Sequence, residues 1–443
     1  MRIGTPAASL LLYAMLALPF ASQGEGLLEL YDQALETNPL LRGREFNVEQ
    51  ARAQKDLARS RLLPQVGVDA SYDWNAYDER NASPNYYDGK RGSIVASQPL
   101  LDLSSYYRYK GAKLSVEQSE YERNAAEMAL ATDLVDRYLV VLQAEDEIAY
   151  LKAEKEAIET QLKRLRLMRE RQLAKVTDLY EVEAYYQGLL TREIEARNAR
   201  EIALEQLRET TGVDVRQVAP LVREEFPAVP GDEEQWTRDA LETNPGLLAL
   251  GKAVDAAARL VDSGHAEHMP RLSLSASQVY SDQGYDNRAV QPYDVGSVGI
   301  LLSLPLYEGG RVNATVREAS ARLQIAREEY EAARREIERR ARTAYLSALA
   351  SYARIRSTGA ETEALEKVVE AQLKSYEFRV TTILDVLIAR RRLTKAQSDE
   401  SKARYEYIRD LTTLRAQVGE LNRPHIEQID SWLADGTALP AGR

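Results

Sequence analysis

The chain has no cysteine in 443 residues. That excludes a disulfide framework, a thiolate metal site and a lipid-bearing N-terminal cysteine. Phenylalanine is scarce, with 4 residues against 25 tyrosines. A conventional core of this size uses more Phe; Tyr in its place suits surfaces apolar on one side and wet on the other. Basic residues fall short of acidic ones, 58 against 69, for a net charge of −11. That balance argues against a nucleic-acid partner. Past the N-terminus no window reaches the ~18 uninterrupted apolar residues of a spanning helix.

The N-terminus itself reads Met1-Arg2, an apolar run from Ala7 to Phe20, then small residues at Ala21 and Ser22. This is the pattern of a secretory signal peptide, expected over residues 1–23. An exported chain without a spanning helix is either soluble in the periplasm or crosses a membrane as β-strands, the other backbone solution in lipid.

What is present is a duplication. The phrase ALETNP occurs at Ala34–Pro39 and again at Ala240–Pro245. Pro64 and Pro270 repeat that spacing of 206 positions, as do Pro99 and Pro305. Tyr138-Leu139 recurs at Tyr345-Leu346, and Thr177–Ala184 echoes Thr382–Ala389. Each copy ends at a glycine, Gly212 or Gly419. Prolines held in register across different local patterns indicate tandem copies of one unit. The expected organisation is a first repeat over 24–212, a linker over 213–235, a second repeat over 236–419 and a tail over 420–443.

Each copy reads helix, strand, loop, strand, long helix, turn, long helix. In the opening helix Leu27, Leu28, Tyr31, Ala34 and Leu35 share a face, and Pro39 stops it, with Asn38 pushed out of the helical region. The period then changes to two. Val66, Val68, Ala70, Tyr72 and Trp74 alternate with Gln65, Gly67, Asp69, Ser71 and Asp73. Ile94, then Leu272 and Leu274, then Val298, Ile300 and Leu302 alternate likewise with serine and glycine. These are half-buried strands, grouped as β-hairpins over 64–100 and 270–306. Their length approaches the ~9–11 residues that a tilted strand needs to cross a bilayer. Aromatics cluster at both ends, with Tyr106, Tyr107 and Tyr307 on the side away from the loops. The same alternation also fits an ordinary antiparallel sheet packed on a helix. Four strands cannot close a membrane barrel, whose smallest examples have ~8, so spanning strands require several copies of the chain.

Between Gly111 and Gly188 there is neither glycine nor proline. Leu130, Leu134, Tyr138, Val141, Ala144, Ile148 and Leu151 step by threes and fours, as in a coiled-coil seam. Some 60 residues of helix span ~90 Å. Each repeat therefore supplies a long helical hairpin, over 104–212 and 310–419. The linker Val222–Gln235 carries Pro227, Pro230 and Gly231, which stop helix and strand. The tail after Leu421 has no strong period; it packs near the middle of the molecule or is partly loose.

The second hairpin, SYEFRVTTILDVLIARRRLTKAQSDESKARYEYIRDL, resembles the tip sequence of the TolC-like outer-membrane efflux proteins. PLYEGGRVNATV and QPLLDLSSYYRYKGA resemble that family's strand-to-helix corners, and VTDLYEVEA its first tip. The resemblance covers nearly the whole mature chain. It implies a mostly α fold with a transmembrane β-barrel: a homotrimer in the outer membrane of a Gram-negative bacterium, with four strands per chain in a 12-stranded barrel and coiled-coil helices forming a periplasmic tunnel. Both ALETNP phrases would lie near a mid-tunnel belt. It also implies a passive export conduit for an inner-membrane transporter acting through a periplasmic adaptor, in efflux or type I secretion. The contrasting reading is a soluble periplasmic coiled-coil adaptor or scaffold; a barrel adhesin would need longer loops.

Site expectations follow. The family pattern places a periplasmic gate at Thr177 and Asp178 on the first tip and at Thr381 and Asp385 on the second. Rings of carboxylates in a narrow pore favour cations; helix capping is the competing role for each Asp. The family's tip glycine falls at Arg379, its tip arginine at Thr381 and a second acidic position at Ile388. The expected lipid-facing set is Val66, Val68, Tyr72, Trp74, Ile94, Leu272, Leu274, Val298, Ile300 and Leu302. DGKRGS at Asp88–Ser93 lacks the first glycine of a phosphate loop and is expected in an external loop. His265 and His268 could share a metal, but a solvated pair is the simpler reading, and His425 is isolated. No nucleophile–base pair, zinc motif or cofactor site is evident, so no enzyme is expected.

Overall fold

The computed structural model describes residues 25–77, 85–223, 225–282 and 291–433. The expected signal peptide and the last ten tail residues lie outside them. The elements run α1 (Leu27–Thr37), α2 (Pro39–Ser60), β1 (Gln65–Tyr77), β2 (Asn85–Leu101), α3 (Leu103–Glu170) and α4 (Val176–Thr211). The second copy follows as α5 (Glu233–Thr243), α6 (Pro245–Ala266), β3 (Arg271–Asp282), β4 (Tyr293–Ser303), α7 (Arg311–Glu377) and α8 (Ile383–Gln417), and then α9 (Arg423–Asp430). Among the described residues no helix is long and apolar enough to cross a membrane.

The long helices exceed the expected 60 residues. α3 has 68 and α7 has 67, about 100 Å each. Both hairpins turn through the same device. Leu173 N donates to Met168 O (2.8 Å) and Val380 N to Ser375 O (2.9 Å), the long bond of a Schellman closure. The left-handed residue in each closure is Gln172 (φ 59°) or Arg379 (φ 60°), where glycine is the unstrained choice.

The repeated ALETNP phrase does more than stop a helix. Asn38 Oδ1 accepts from Leu40 N (3.0 Å) and Leu41 N (3.3 Å), capping α2. Its Nδ2 donates to Thr210 O (3.1 Å), in the last turn of α4. Thr37 Oγ1 donates to Thr211 O (2.6 Å). In the second copy Asn244 Oδ1 accepts from Leu247 N (3.1 Å), and Nδ2 donates to Gln417 O (2.9 Å). Thr243 Oγ1 donates to Val418 O (2.6 Å). One Thr-Asn pair thus satisfies orphan groups at the start of a short helix and at the end of a long one. Gly212 and Gly419 follow with φ 73° and 71°. A Cβ at Gly419 would lie 2.8 Å from Thr243 O, so the close approach requires glycine.

These clamps sit in one apolar belt. Leu27, Leu30, Tyr31 and Ala34 of α1 pack with Leu134, Tyr138 and Val141 of α3, with Leu207, and with Tyr407, Leu411 and Leu414 of α8. The linker and tail both enter this belt. Phe226 meets Tyr407 and Trp432 edge-to-face, at 5.8 and 5.5 Å, and Leu221 bridges to Leu433. A second cluster near the tips joins Leu151, Ile158, Leu162 and Leu165 to Val182, Leu189, Ile383, Val386 and Leu387.

The strands form one antiparallel sheet in the order β1-β2-β3-β4. The expectation of a loop at Asp88–Ser93 is overturned: these residues lie within β2, with Asp88 opposite Trp74 and Ser93 opposite Asp69. Two glycines and three charges hide the alternation there, while the ladder to β1 continues unbroken. The offset of Thr177 to Thr382 is also revised. α4 and α8 start at Val176 and Ile383, 207 positions apart, so Asp178 is the counterpart of Asp385.

Candidate functional site

Two places carry candidate function: the faces of the sheet and the tips of the hairpins. Directly opposed residues of an antiparallel ladder share a face. Val66, Ala96, Ala276 and Val298 form one row across all four strands. Val68 and Ile94 form the next, and Leu274 with Ile300, then Leu272 with Leu302, continue toward the base. Tyr72 and Trp74 extend this face toward the loop end and meet edge-to-face at 4.9 Å. The opposite face is serine-rich: Ser275 and Ser277 lie opposite Gly299 and Ser297. All ten residues expected on the apolar side therefore share one face, and that face is bare. Val68, Trp74, Val298 and Ile300 are 66–80% exposed, and β4 is exposed at every position. Among the described residues no helix covers either side of β4. A solvated protein does not keep so large an apolar patch open.

At the tips the two carboxylates differ. Thr382 caps α8, its Oγ1 accepting from Asp385 N (3.3 Å), and Asp385 Oδ2 accepts from Thr382 N (2.9 Å). That reciprocal pair is a capping box. Hydrogen bonds from the Thr382 side chain and backbone hold the Asp385 carboxyl below its ordinary range. Its contribution is therefore complete above that range and is lost as pH falls through the lowered value. α4 instead begins after Lys175, which makes no side-chain cap. Asp178 occupies the same position in the first turn without a box. It faces Tyr376 of the other hairpin, whose phenol is pushed up by burial and then by the Asp178 carboxylate. Thr177 is exposed, and the buried Oγ1 of Thr381 has no protein partner. Arg164 Nη1 reaches Glu377 Oε1 (3.0 Å), tying α3 to α7 beside this pair. Apolar side chains crown both tips, with Leu173 and Tyr180 on one and Phe378 and Val380 on the other, all exposed.

At the base of the sheet buried Glu267 accepts from Arg108 and Arg311, both at 2.7 Å, joining α6 to α3 and α7. His265 and His268 flank it and are exposed. His425 Nδ1 lies 2.9 Å from Asn422 Oδ1. The Thr-Asn clamps and the Glu267 junction are residues that sequence reasoning missed. The repeated TNP was the available signal for the first; nothing local marks the second.

A bare antiparallel sheet mounted on helical hairpins of this length defines an outer-membrane channel-tunnel. The description Outer membrane efflux protein fits both repeats, over residues 30–213 and 236–420, and the chain belongs to that family. It is 29% identical over 425 residues to outer membrane protein TolC of Vibrio cholerae serotype O1, covering 95% of this chain and 96% of that one. It is 30% identical over 430 residues to the alkaline protease secretion protein AprF of Pseudomonas aeruginosa, covering 94% and 89%. Among solved structures the Campylobacter jejuni CmeC outer membrane channel superposes with a TM-score of 0.79 at 17% identity, covering 98% of both chains. These relatives are transport channels, and the protein is an outer-membrane protein.

Proposed function

We propose that three copies close into a 12-stranded barrel and a helical tunnel, through which an inner-membrane transporter and a periplasmic adaptor pass their cargo outward. The carrying observation is that β1 and β4 each have one partner strand. In lipid an open edge strands its backbone groups, so β4 of one copy pairs with β1 of the next. The helices support the same closure. α6 packs on both α3 and α7, whereas its counterpart α2 packs on α3 and α1. Leu40, Phe46 and Leu57 of α2 are left exposed, and repeat symmetry assigns that side to α7 of a neighbouring copy.

The ten apolar-face residues then meet hydrocarbon, and the Ser- and Gly-rich face lines the pore. At the far end a three-fold ring of Asp178 forms the gate, with Asp385 committed to its helix and Thr177 and Thr381 beside them. The exposed apolar tip residues receive the adaptor. Energy comes from the transporter. The test is Phe46→Asp. In detergent, cross-linking of the parent chain is expected to yield trimers; the variant is expected to yield mostly monomers of unchanged helix content. A parent chain that stays monomeric in detergent would overturn the closure.

A further inference from the structure

The first four helical turns below the sheet have an unusual charge distribution. Among the described residues most acidic groups there are engaged; exposed Asp255 has no ion pair. Asp56 pairs with Lys55, Glu117 with Lys252 (2.8 Å), Asp262 with Arg259 (2.7 Å) and Glu318 with Arg322 (2.6 Å). Glu267 and Glu308 hold Arg311, and Asp102 caps α3 through Ser105 N (3.0 Å). Five cations in the same collar have no carboxylate: Arg59, Arg61, Lys110, Lys113 and Arg317, all exposed. Lys110 lies over the Tyr106 ring at 4.8 Å. In a chain of net charge −11, a ring of unpaired cations needs a cause.

Their placement supplies one. Tyr106, Lys110 and Lys113 follow at i, i+4 and i+7 on α3, one stripe. That stripe is turned away from Ser104 and Gly111, which pack on Ser263 and Ala256 of α6. Lys110 lies ~6 Å and Lys113 ~10 Å below Tyr106 along the axis. Leu306 and Tyr307, 89% and 87% exposed, mark the same level on the second repeat. The headgroup layer is ~5–7 Å deep on each side of a bilayer, and long basic side chains reach into it from below. Arg271, a further exposed cation here, is excluded because it shares the serine-bearing face with Ser273.

We propose that Arg59, Arg61, Lys110, Lys113 and Arg317 form a collar that binds anionic phospholipid headgroups of the periplasmic leaflet. This rests on the reading of the sheet's apolar face as the lipid face. The occupant is a phospholipid because the exposed cations lie directly below the aromatic rim of the lipid-facing sheet. In a trimer the collar becomes fifteen cations around the barrel's lower edge.

The experiment reconstitutes the full chain in vesicles of equal phosphatidylglycerol and phosphatidylcholine, extracts it in mild detergent, and measures both lipids retained. The parent chain is expected to hold phosphatidylglycerol in about threefold excess. The variant with all five positions changed to Gln is expected to return to the bulk ratio. Lys110→Gln with Lys113→Gln alone, on a solvent face where folding is undisturbed, is expected to lose about half the excess. Lys175→Gln with Arg391→Gln, far from the collar, is expected to keep all of it. An unchanged ratio in the five-position variant, or a loss in the distant one, overturns the collar. So does saturable binding of inorganic phosphate by the detergent-solubilised chain, which would make it a free-phosphate site. A chain washed from the vesicles by alkaline carbonate would instead overturn the reading that the sheet lies in the bilayer.

Discussion

The two repeats are built from the same elements, yet they finish differently at both ends. At the belt, Asn38 is buried and caps α2 through two amides; its counterpart Asn244 is half-buried and holds one. At the tips the order reverses. The second repeat has the full capping box, Thr382 with Asp385, while the first has Lys175 where the cap should be and leaves Asp178 uncommitted. A duplicated gene product starts with two equivalent carboxylates. The structure commits one to helix termination and leaves the other outside any capping box, and the more buried clamp lies in the repeat whose tip is least capped.

The largest expected effect breaks the comparison at the belt. Asn38→Ala loses a helix cap, worth about 1 kcal/mol, and strands a buried Thr210 carbonyl, worth a further ~1–3 kcal/mol. Asn244→Ala loses one cap bond and the bond to Gln417 O, in a wetter site. Thermal unfolding in detergent is expected to show the Asn38 variant as the less stable, by about 1 kcal/mol; equal losses would erase the distinction. Next, Lys175→Thr rebuilds the missing box on α4 and draws Asp178 into it, with about 1 kcal/mol of added helix stability. In planar bilayers it is expected to relieve block by multivalent cations as Asp178→Asn does, whereas Asp385→Asn leaves block nearly unchanged. Block insensitive to both Asp178 and Lys175 would remove the first tip from the gate. The smallest effect concerns the turns. A left-handed non-glycine residue costs ~1–2 kcal/mol, and glycine returns ~0.5–1 kcal/mol of that as entropy. Gln172→Gly and Arg379→Gly are therefore each expected to stabilise by about 0.5 kcal/mol. Destabilisation at only one of them would show that its side chain, and not the backbone, holds that tip.

Much of the fold was legible. The alternation from Val66 to Trp74 places the apolar residues on one face, and the run without glycine or proline after Gly111 marks the long helical hairpin of α3 and α4. The polar upper part of β2 was not, because Asp88–Ser93 has loop composition and becomes a strand through its ladder with β1. At the site, Thr382-x-x-Asp385 carried a capping-box pattern in plain view, but the choice between gate and cap depended on where α8 starts. Asp178 could be paired with its true counterpart once both helix starts were known.

Sequence alone settled the duplication, the order of strands and long helices and the two faces of β1, β3 and β4, because periods of 2 and 3.6 residues are local and survive in the chain itself. Tertiary structure decided which carboxylate stays free, what the Thr-Asn pairs hold, and which helix is left without a neighbour. Those depend on bonds such as Asn38 to Thr210 and on packing such as α6 against α7. Groups far apart in the chain meet only when the hairpins fold back, and no local period records where they will land.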